Sequence, residues 1–325
     1  MVEASSTSDE MSNQRRDAHL LGEVSGVQRL VVPEEHDLGG FSVYRSLPSQ
    51  DQQMVGPFIF FDHLGPAVFP EGKGVDVRPH PHINLATVTY LFEGSLLHQD
   101  SLGVVQEILP GEVNWMTAGK GVVHSERSPD SFREKEATLH AIQTWIALPE
   151  ASEEVDPDFS HYDKSALPIW EETGTTATLI AGTYQAYRSP VKTFSPTTYL
   201  SLSFTQGGKF RLPALSQDEL PSELAIYSVT PGLFLNQQPL EQRRLAILDP
   251  SVSVEVSAES EAIAMVVGGQ PLGDRIKFWN FVSSRSERIE QAKDDWRSKR
   301  FPQVPNETEF IPLPEDEPQD AGIED

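Results

Sequence analysis

The sequence contains no cysteine, and this absence excludes three kinds of chemistry. Disulfide bonds, thiolate nucleophiles and thiolate metal ligands all require that residue. A metal ion held by side chains would therefore rest on histidine, aspartate or glutamate. Histidine is itself confined to one part of the chain, because all nine histidines lie before residue 162. A histidine-based metal site is predicted in the first half of the chain, and the second half lacks the residues for one.

Positive charge is also scarce. The chain has 25 Lys and Arg against 49 Asp and Glu, which gives a formal net charge of -24 at pH 7 and a pI near 4.7. A polyanion gains nothing from neutralising phosphates and releasing counterions, so direct nucleic-acid binding is not expected. Anionic membrane surfaces are disfavoured for the same reason. A basic protein partner would suit this surface.

Long hydrophobic runs are missing as well. The longest apolar stretches, such as Pro57–Phe61 and Ala262–Val267, are far shorter than the ~20 residues that a membrane helix needs. The first twenty residues are polar and mixed in charge, without the apolar stretch of a signal peptide. We therefore predict a cytoplasmic protein that does not associate with membranes.

What the sequence does contain is many short strand-like segments between two polar ends. Residues 1–24 are rich in small polar and charged residues and predict a disordered tail, and residues 313–325 predict an acidic tail. Segments such as Thr87–Phe92 and Leu139–Leu148 are rich in β-branched and aromatic residues, and Gly or Pro commonly lies near such segments. This pattern predicts an all-β fold of barrels or sandwiches.

The length of 325 residues suits about two such domains. We predict an N-terminal barrel at 25–150 and a C-terminal barrel at 169–312, in tandem. The acidic, strand-poor segment 151–168 is predicted to link them. One short C-terminal helix is predicted at Ser286–Arg297, where Ile289 and Trp296 stand seven residues apart among charged residues.

Two residue pairs have the spacing of metal ligands. His80 and His82 flank a proline, and His124 and Glu126 follow the glycine-rich stretch 118–121. Side chains two apart on an extended backbone point to the same face, so the two pairs could converge inside a barrel. Three imidazoles and one carboxylate suit Fe, Mn, Ni, Cu or Zn better than Mg or Ca. One such pair alone is more often an exposed turn, but the second pair strengthens the prediction of a metal site.

These segments resemble the pirin family of the cupin superfamily. The resemblance is strong from about residue 40 to 150 and thinner in the second half of the chain. Its core is an HPH motif followed some forty residues later by GxGxxHxE. The segments that carry the resemblance are PFIFFDHLGP at 57–66, PHPHINLATVTYLFEG at 79–94, HQDSLG at 98–103, PGEVNWMTAGKGVVHSER at 110–127, LHAIQTW at 139–145 and AMVVGGQPLGDRI at 264–276.

The resemblance implies two jelly-roll barrels of the cupin type, with one metal ion in the N-terminal barrel and none in the C-terminal one. It places the metal ligands on His80, His82, His124 and Glu126. The family's usual metal is iron, so Fe(II) is the expected cofactor, with Ni, Mn, Cu and Zn as alternatives. Some family members are similar to quercetin 2,3-dioxygenases.

One segment departs from many relatives, which have Gly-Phe-Glu where this chain has Asn84, Leu85 and Ala86. Strand alternation predicts that Ala86 shares the face of His80 and His82, which would remove a carboxylate from the metal pocket. Asn84, on the same face, could supply a neutral hydrogen bond.

Other residues receive smaller predictions. Gln143 and Trp145 share a strand face and would line the pocket if they point inward, with His140 on the other face. His63 is interpreted as a structural histidine bonded to nearby backbone. His98 and Asp100 are interpreted mainly as a turn cap, or else as part of the pocket rim.

Two functions from different classes remain open at this point. The first is a metal-dependent dioxygenase acting with O₂ on flavonol-like or other enolisable aromatic substrates, with Glu126 as the catalytic base. The second is a regulatory protein that binds a protein partner according to the state of its metal. A cupin isomerase or a protein with a vestigial metal site is a third, weaker reading.

Overall fold

The computed structural model describes residues 24–37, 41–216 and 222–314. The two predicted tails lie almost wholly outside these residues. Within the described ranges, no helix is long and apolar enough to cross a membrane.

The N-terminal half consists almost entirely of strands. They are β1 Val27–Val31, β2 Glu34–Asp37, β3 Ser42–Leu47, β4 Phe58–Phe69, β5 Asp76–His82, β6 Leu85–Glu93, β7 Leu96–Asp100, β8 Val105–Ile108, β9 Val113–Thr117, β10 Val122–Arg127, β11 Ala137–Ala147 and β12 Asp158–Tyr162. A single helical turn, α1 Asp130–Arg133, precedes β11, and 3-10 turns lie at Glu150–Ser152 and Lys164–Ala166.

The C-terminal half has the same character and ends in a helix. Its strands are β13 Ile169–Glu172, β14 Thr175–Tyr184, β15 Tyr187–Arg188, β16 Thr197–Phe204, β17 Lys209–Leu212, β18 Glu223–Ser228, β19 Leu233–Leu235, β20 Gln238–Leu240, β21 Leu245–Leu248, β22 Val254–Ala258, β23 Ala262–Gly269, β24 Ile276–Phe278 and β25 Phe281–Ser283. Helix α2 spans Ser286–Arg297, which confirms the predicted bounds.

Two antiparallel sheets form the first barrel. The large sheet has the order β12-β9-β6-β11-β4-β3-β2, and the small sheet has the order β5-β10-β7-β8. The central strand β6 is buried along nearly its whole length because one of its faces meets the small sheet and the other meets the second barrel. Its β-branched and aromatic side chains suit such a position.

The second barrel repeats this arrangement. Its large sheet has the order β1-β21-β18-β23-β16-β14-β13, with β15 beside β14, and its small sheet is β17-β22-β19-β20. Leucine, valine, alanine and phenylalanine side chains fill the space between the two sheets. The prediction of an all-β fold with two cupin barrels in tandem and a short helix is confirmed.

The predicted domain boundaries need correction in three places. Strand β1 pairs with β21, so Val27–Val31 belongs to the sheet of the second barrel and not to the first. The segment predicted as a linker contains β12, which pairs with β9 as an edge strand of the first barrel. Helix α2 and the β24–β25 hairpin, predicted as part of the second barrel, pack on the first barrel around Ile83 and Val123. These pairings join segments far apart in the chain, so local patterns could not reveal them.

The large sheets of the two barrels face each other across a buried apolar core, which includes Phe58 in edge-to-face contact with Tyr199. A polar group crosses the same interface. The ring of His63 forms one hydrogen bond with the ring of His140 (Nε2–Nε2, 2.8 Å). Its Nδ1 atom forms another with the Tyr227 hydroxyl of β18 (2.9 Å). His63 is therefore structural, as predicted, but its partners are side chains and not nearby backbone.

This histidine pair should make the protein sensitive to acid. Burial lowers the pKa of His63 to about 3 and that of His140 to about 4, from a usual value near 6.5. Each neutral ring therefore contributes stability that is fully present above pH 6.5 and is lost as the pH falls toward its folded pKa. In His140→Gln, the free energy of unfolding should fall less steeply between pH 6.5 and 4.5, by up to about 1.4 kcal/mol per pH unit. Denaturant unfolding at several pH values would measure this.

His36→Gln is the control, because His36 lies on β2 with a half-exposed side chain. In this variant, the free energy of unfolding should depend on pH as it does in the parent protein. Equal slopes for His140→Gln and the parent would contradict a neutral, buried pair.

Candidate metal centre

Three histidines meet between the two sheets of the first barrel. His80 and His82 lie on β5, and His124 lies directly opposite His80 on the neighbouring strand β10. All three residues are buried. Their ligand nitrogens lie within 4.8 Å of one another, and the Nε2 atoms of His82 and His124 are 3.1 Å apart. The predicted convergence of these three side chains is confirmed, and their role as metal ligands stays a prediction.

Hydrogen bonds at the far side of two rings fix which nitrogen faces the centre. The Nδ1 atom of His80 donates to the carbonyl of Arg78 (2.9 Å), and that of His82 donates to the carbonyl of Asn280 (3.2 Å). A carbonyl only accepts, so each Nδ1 carries the proton and each Nε2 keeps its lone pair. Asn280 comes from the turn between β24 and β25, so the C-terminal half of the chain orients a histidine of the N-terminal barrel.

The third ring is oriented by a chain of side chains. His98, on β7, donates from Nε2 to the Asp100 carboxylate (3.0 Å), and in a neutral ring the Nδ1 atom is then an acceptor. His124 donates from its Nδ1 to that atom (3.3 Å) and keeps its Nε2 lone pair toward the centre. Asp100 also accepts hydrogen bonds from the backbone of Leu102 and Val104, so the predicted turn cap is present. His98, however, is a buried orienting group rather than a turn or rim residue.

The donor set fits a transition-metal ion. Burial lowers the pKa of His80, His82 and His124, so all three rings are neutral near pH 7. Two Nε2 lone pairs that face each other at 3.1 Å repel unless a cation lies between them. That separation also suits two adjacent ligands at the ~2.1 Å typical of metal–imidazole bonds.

Glu126 lies beside these rings on β10. The register of β10 with β5 shifts between His124 and Glu126, whereas its pairing with β7 stays regular and sets Glu126 opposite His98. The Glu126 carboxylate accepts hydrogen bonds from Gln143 Nε2 (2.9 and 2.8 Å) and from the Thr89 hydroxyl (3.3 Å). Its negative charge partly opposes the effect of burial on the pKa of His80. Its role as a fourth ligand stays a prediction.

The large sheet supplies the opposite wall of the site. Gln143 and Trp145 on β11 both face inward, since Gln143 bonds Glu126 and the Trp145 ring meets His82 edge to face at 5.0 Å. Trp145 also stacks on Phe60 with ring centroids 4.0 Å apart. Gln143 and Trp145 were predicted to line the pocket if they point inward, and they do point inward.

The interpretation of residues 84–86 is wrong. Asn84 adopts a left-handed backbone conformation (φ 57°) in the turn between β5 and β6, which asparagine tolerates better than most residues. This turn interrupts the alternation, so Ala86 points into the core between the barrels and Leu85 faces the metal side. The Asn84 amide donates to the backbone carbonyls of Gly119 and Glu153, so it closes a turn and does not reach the pocket.

Comparison with known proteins identifies the relatives of the chain. The Pirin sequence profile matches residues 40–146, and that of the Pirin C-terminal cupin domain matches residues 199–302. A pirin-like protein of Caulobacter vibrioides is 45% identical over 86% of this chain and 96% of its own. A Pseudomonas aeruginosa protein provisionally named quercetin 2,3-dioxygenase is 37% identical over 86% of this chain and 85% of its own.

Among solved structures, a quercetin 2,3-dioxygenase from Acinetobacter baumannii superposes with a TM-score of 0.80 at 34% identity. The match covers 88% of this chain and 94% of that one.

Proposed function

We propose, because this chain belongs to the pirin family of two-domain cupins, that it is a metal-dependent dioxygenase of the quercetin 2,3-dioxygenase type. Its substrates would be flavonol-like or other enolisable aromatic compounds, together with O₂. The observation that carries the proposal is the convergence of three imidazole nitrogens beside a buried carboxylate. The names of two relatives support the reaction class.

His80, His82, His124 and Glu126 would hold one divalent transition-metal ion, with Fe(II) as the first choice and Ni, Mn, Cu or Zn as alternatives. When bound, the ion would stabilise the substrate oxyanion, and Fe, Ni, Mn or Cu, but not redox-inert Zn, would supply the redox chemistry that dioxygen requires. Imidazole and carboxylate donors accept all these metals, so availability in the cell decides among them.

Glu126 is proposed to accept the proton of the acidic substrate hydroxyl. Gln143 donates to both of its oxygens and Thr89 donates to one, so the carboxylate is held in one orientation before the substrate arrives. A base held in place needs no reorganisation when the proton moves. The resulting oxyanion is the form of an enolisable substrate that is ready for oxidation.

The remaining walls of the centre are apolar. Trp145, Phe60, Leu85 and Met116 form one apolar cluster against the imidazoles. A flat aromatic substrate suits such walls, since aromatic rings stack favourably on one another. The low polarity also strengthens the electrostatic effect of nearby charges.

Dioxygen consumption tests this proposal. Protein loaded with iron or nickel should consume O₂ in the presence of at least one member of a flavonol panel. Glu126→Gln should lower turnover by about 100-fold or more, because the amide cannot accept the proton. The metal content of each preparation, measured in parallel, separates the loss of the base from the loss of the ion.

Glu107→Gln serves as the control, since Glu107 lies on β8 at the edge of the small sheet. It should retain full activity. No O₂ uptake by metal-loaded protein across the panel would refute the dioxygenase, and full turnover by Glu126→Gln would refute the base.

A further inference from the structure

The last segment of the described chain, residues 303–313, lies against the outer face of the small sheet in the first barrel. Val304 from this segment shares an apolar cluster with Val123 of β10. The backbone N–H of Ile311 donates to the carbonyl of Pro79 on β5 (2.9 Å). The segment near the end of the chain thus covers the two strands that carry the three histidines.

The residues of β10 that this segment contacts alternate with those that face the metal centre. Ser125 lies between His124 and Glu126, and Arg127 follows Glu126. Successive side chains of a strand point to opposite faces, so Ser125 and Arg127 point away from the centre. A contact on the outer face is therefore only one peptide unit away from a side chain of the centre.

Glu307 supplies the polar part of this contact. One of its carboxylate oxygens accepts from the Ser125 hydroxyl (3.0 Å) and from Arg127 Nε (2.9 Å), and the other accepts from Arg127 Nη2 (2.9 Å). The side chains of Glu307 and Arg127 are only 12% and 21% exposed, so solvent and salt screen this bidentate pair less than an open surface pair. Both residues that flank Glu126 are thus bonded to a single carboxylate.

Strand β5 is weakly restrained by its own sheet. It lies at the edge of the small sheet, and Pro79 and Pro81 have no N–H to donate to a neighbouring strand. The register of β10 with β5 also shifts between His124 and Glu126. The ladder between these strands is therefore irregular beside the metal centre, and contacts from outside the sheet add to what fixes it there.

Glu126 is held from both faces of its strand. On the inner face Gln143 donates to its carboxylate (2.9 and 2.8 Å), and on the outer face Glu307 bonds the residues on either side of it. We infer that Glu307 is a positioning residue for the metal centre, which fixes the backbone of β10 so that His124 and Glu126 converge on one point. This inference rests on the metal-binding part of the proposed function and not on the proposed reaction.

The affinity of the folded protein for Ni²⁺ tests the inference, measured by competition with a chromogenic chelator. The Kd of Glu307→Ala should be about tenfold higher than that of the parent protein, because the strand that carries two of the proposed ligands is freed on its outer face. Glu307→Gln keeps an oxygen that can accept from Ser125 and Arg127. Its Kd should therefore stay within about threefold of the parent value.

Glu309→Gln is the matched control. Glu309 also pairs with Arg127 (3.0 Å), but its side chain is 56% exposed, and the Ser125 hydroxyl is bonded to Glu307 instead. Exposed pairs contribute little, so the Kd should not change in this variant. Val256→Ala, in the core of the second barrel, should lower the free energy of unfolding and also leave the Kd unchanged.

The EPR spectrum of Cu²⁺-loaded protein is a second measurement, which a loss of stability alone would not change. It should shift in Glu307→Ala and stay the same in Glu309→Gln. A parent-like Kd or spectrum in Glu307→Ala, or an equal loss of affinity in Glu309→Gln or Val256→Ala, would overturn the inference. Absence of metal binding by the parent protein would overturn it together with the metal centre. The expected change in Kd without any O₂ uptake would support the inference and refute the dioxygenase alone.

Discussion

His124→Ala is expected to lower the metal content of the purified protein from about one ion per chain to below about 0.1. Its Nε2 atom lies 3.1 Å from that of His82, so both nitrogens would share one ion. Alanine removes an imidazole whose orientation is fixed by His98 and Asp100 and leaves two imidazoles where three converged. Elemental analysis of protein purified without chelators measures the effect.

Two further variants are compared with His124→Ala in their metal binding. His98→Ala keeps every ligand but frees the Nδ1 atom of His124, so metal affinity should fall by about 10–100-fold rather than vanish. His36→Ala removes a histidine on the β2 edge strand and should leave metal content unchanged. Circular dichroism should show that all three variants are folded. Stoichiometric metal in folded His124→Ala would refute the site.

The second large effect is expected at Glu153, where alanine should lower the free energy of unfolding by about 3–5 kcal/mol. The side chains of Glu153 and Arg275 are only 2% and 1% exposed and form an ion pair at 3.3 Å. Glu153 also accepts hydrogen bonds from Ser283 and from the backbone and hydroxyl of Ser284. Its loss would leave a buried guanidinium without a counter-ion, and that unpaired charge is the main cost.

Urea unfolding of metal-loaded protein measures the change, with free metal held constant because bound ligands shift apparent stability. Glu150→Ala, at an exposed position in the 3-10 turn just before Glu153, should change stability by less than about 0.5 kcal/mol. The double variant Glu153→Ala/Arg275→Met should recover part of the loss, since no unpaired charge then remains. A cost at Glu153 no larger than that at Glu150 would contradict a structural role for the pair.

Local patterns in the sequence predicted local features well. The helix Ser286–Arg297 has its predicted bounds because its apolar spacing is set within the helix itself. The HxH pair on β5 and His124 on β10 converge because alternation on a strand fixes which side chains share a face. The same rule failed at Ala86, because the left-handed residue Asn84 ends one strand before the next begins. Successive side chains point to alternate faces only within one strand, so the pattern cannot be extended across a turn.

Contacts between distant segments could not be predicted in this way. Asn280 is 198 residues from His82, yet its carbonyl orients that ring. Nothing in the sequence around it indicates this role, because any residue offers a backbone carbonyl. His98 and Asp100 lay two apart, and that spacing could have indicated a strand and a carboxylate–histidine pair rather than a turn.

The crossing of the chain between the two barrels means that neither can be excised whole. A fragment beginning at residue 169 would lack β1, and β21 would then expose an open edge of backbone donors and acceptors. A fragment ending at residue 150 would keep the three histidines but lose the Asn280 carbonyl and the helix that covers Ile83. Neither fragment alone would therefore hold all the contacts of its barrel, and each barrel depends on the other half of the chain for its native structure.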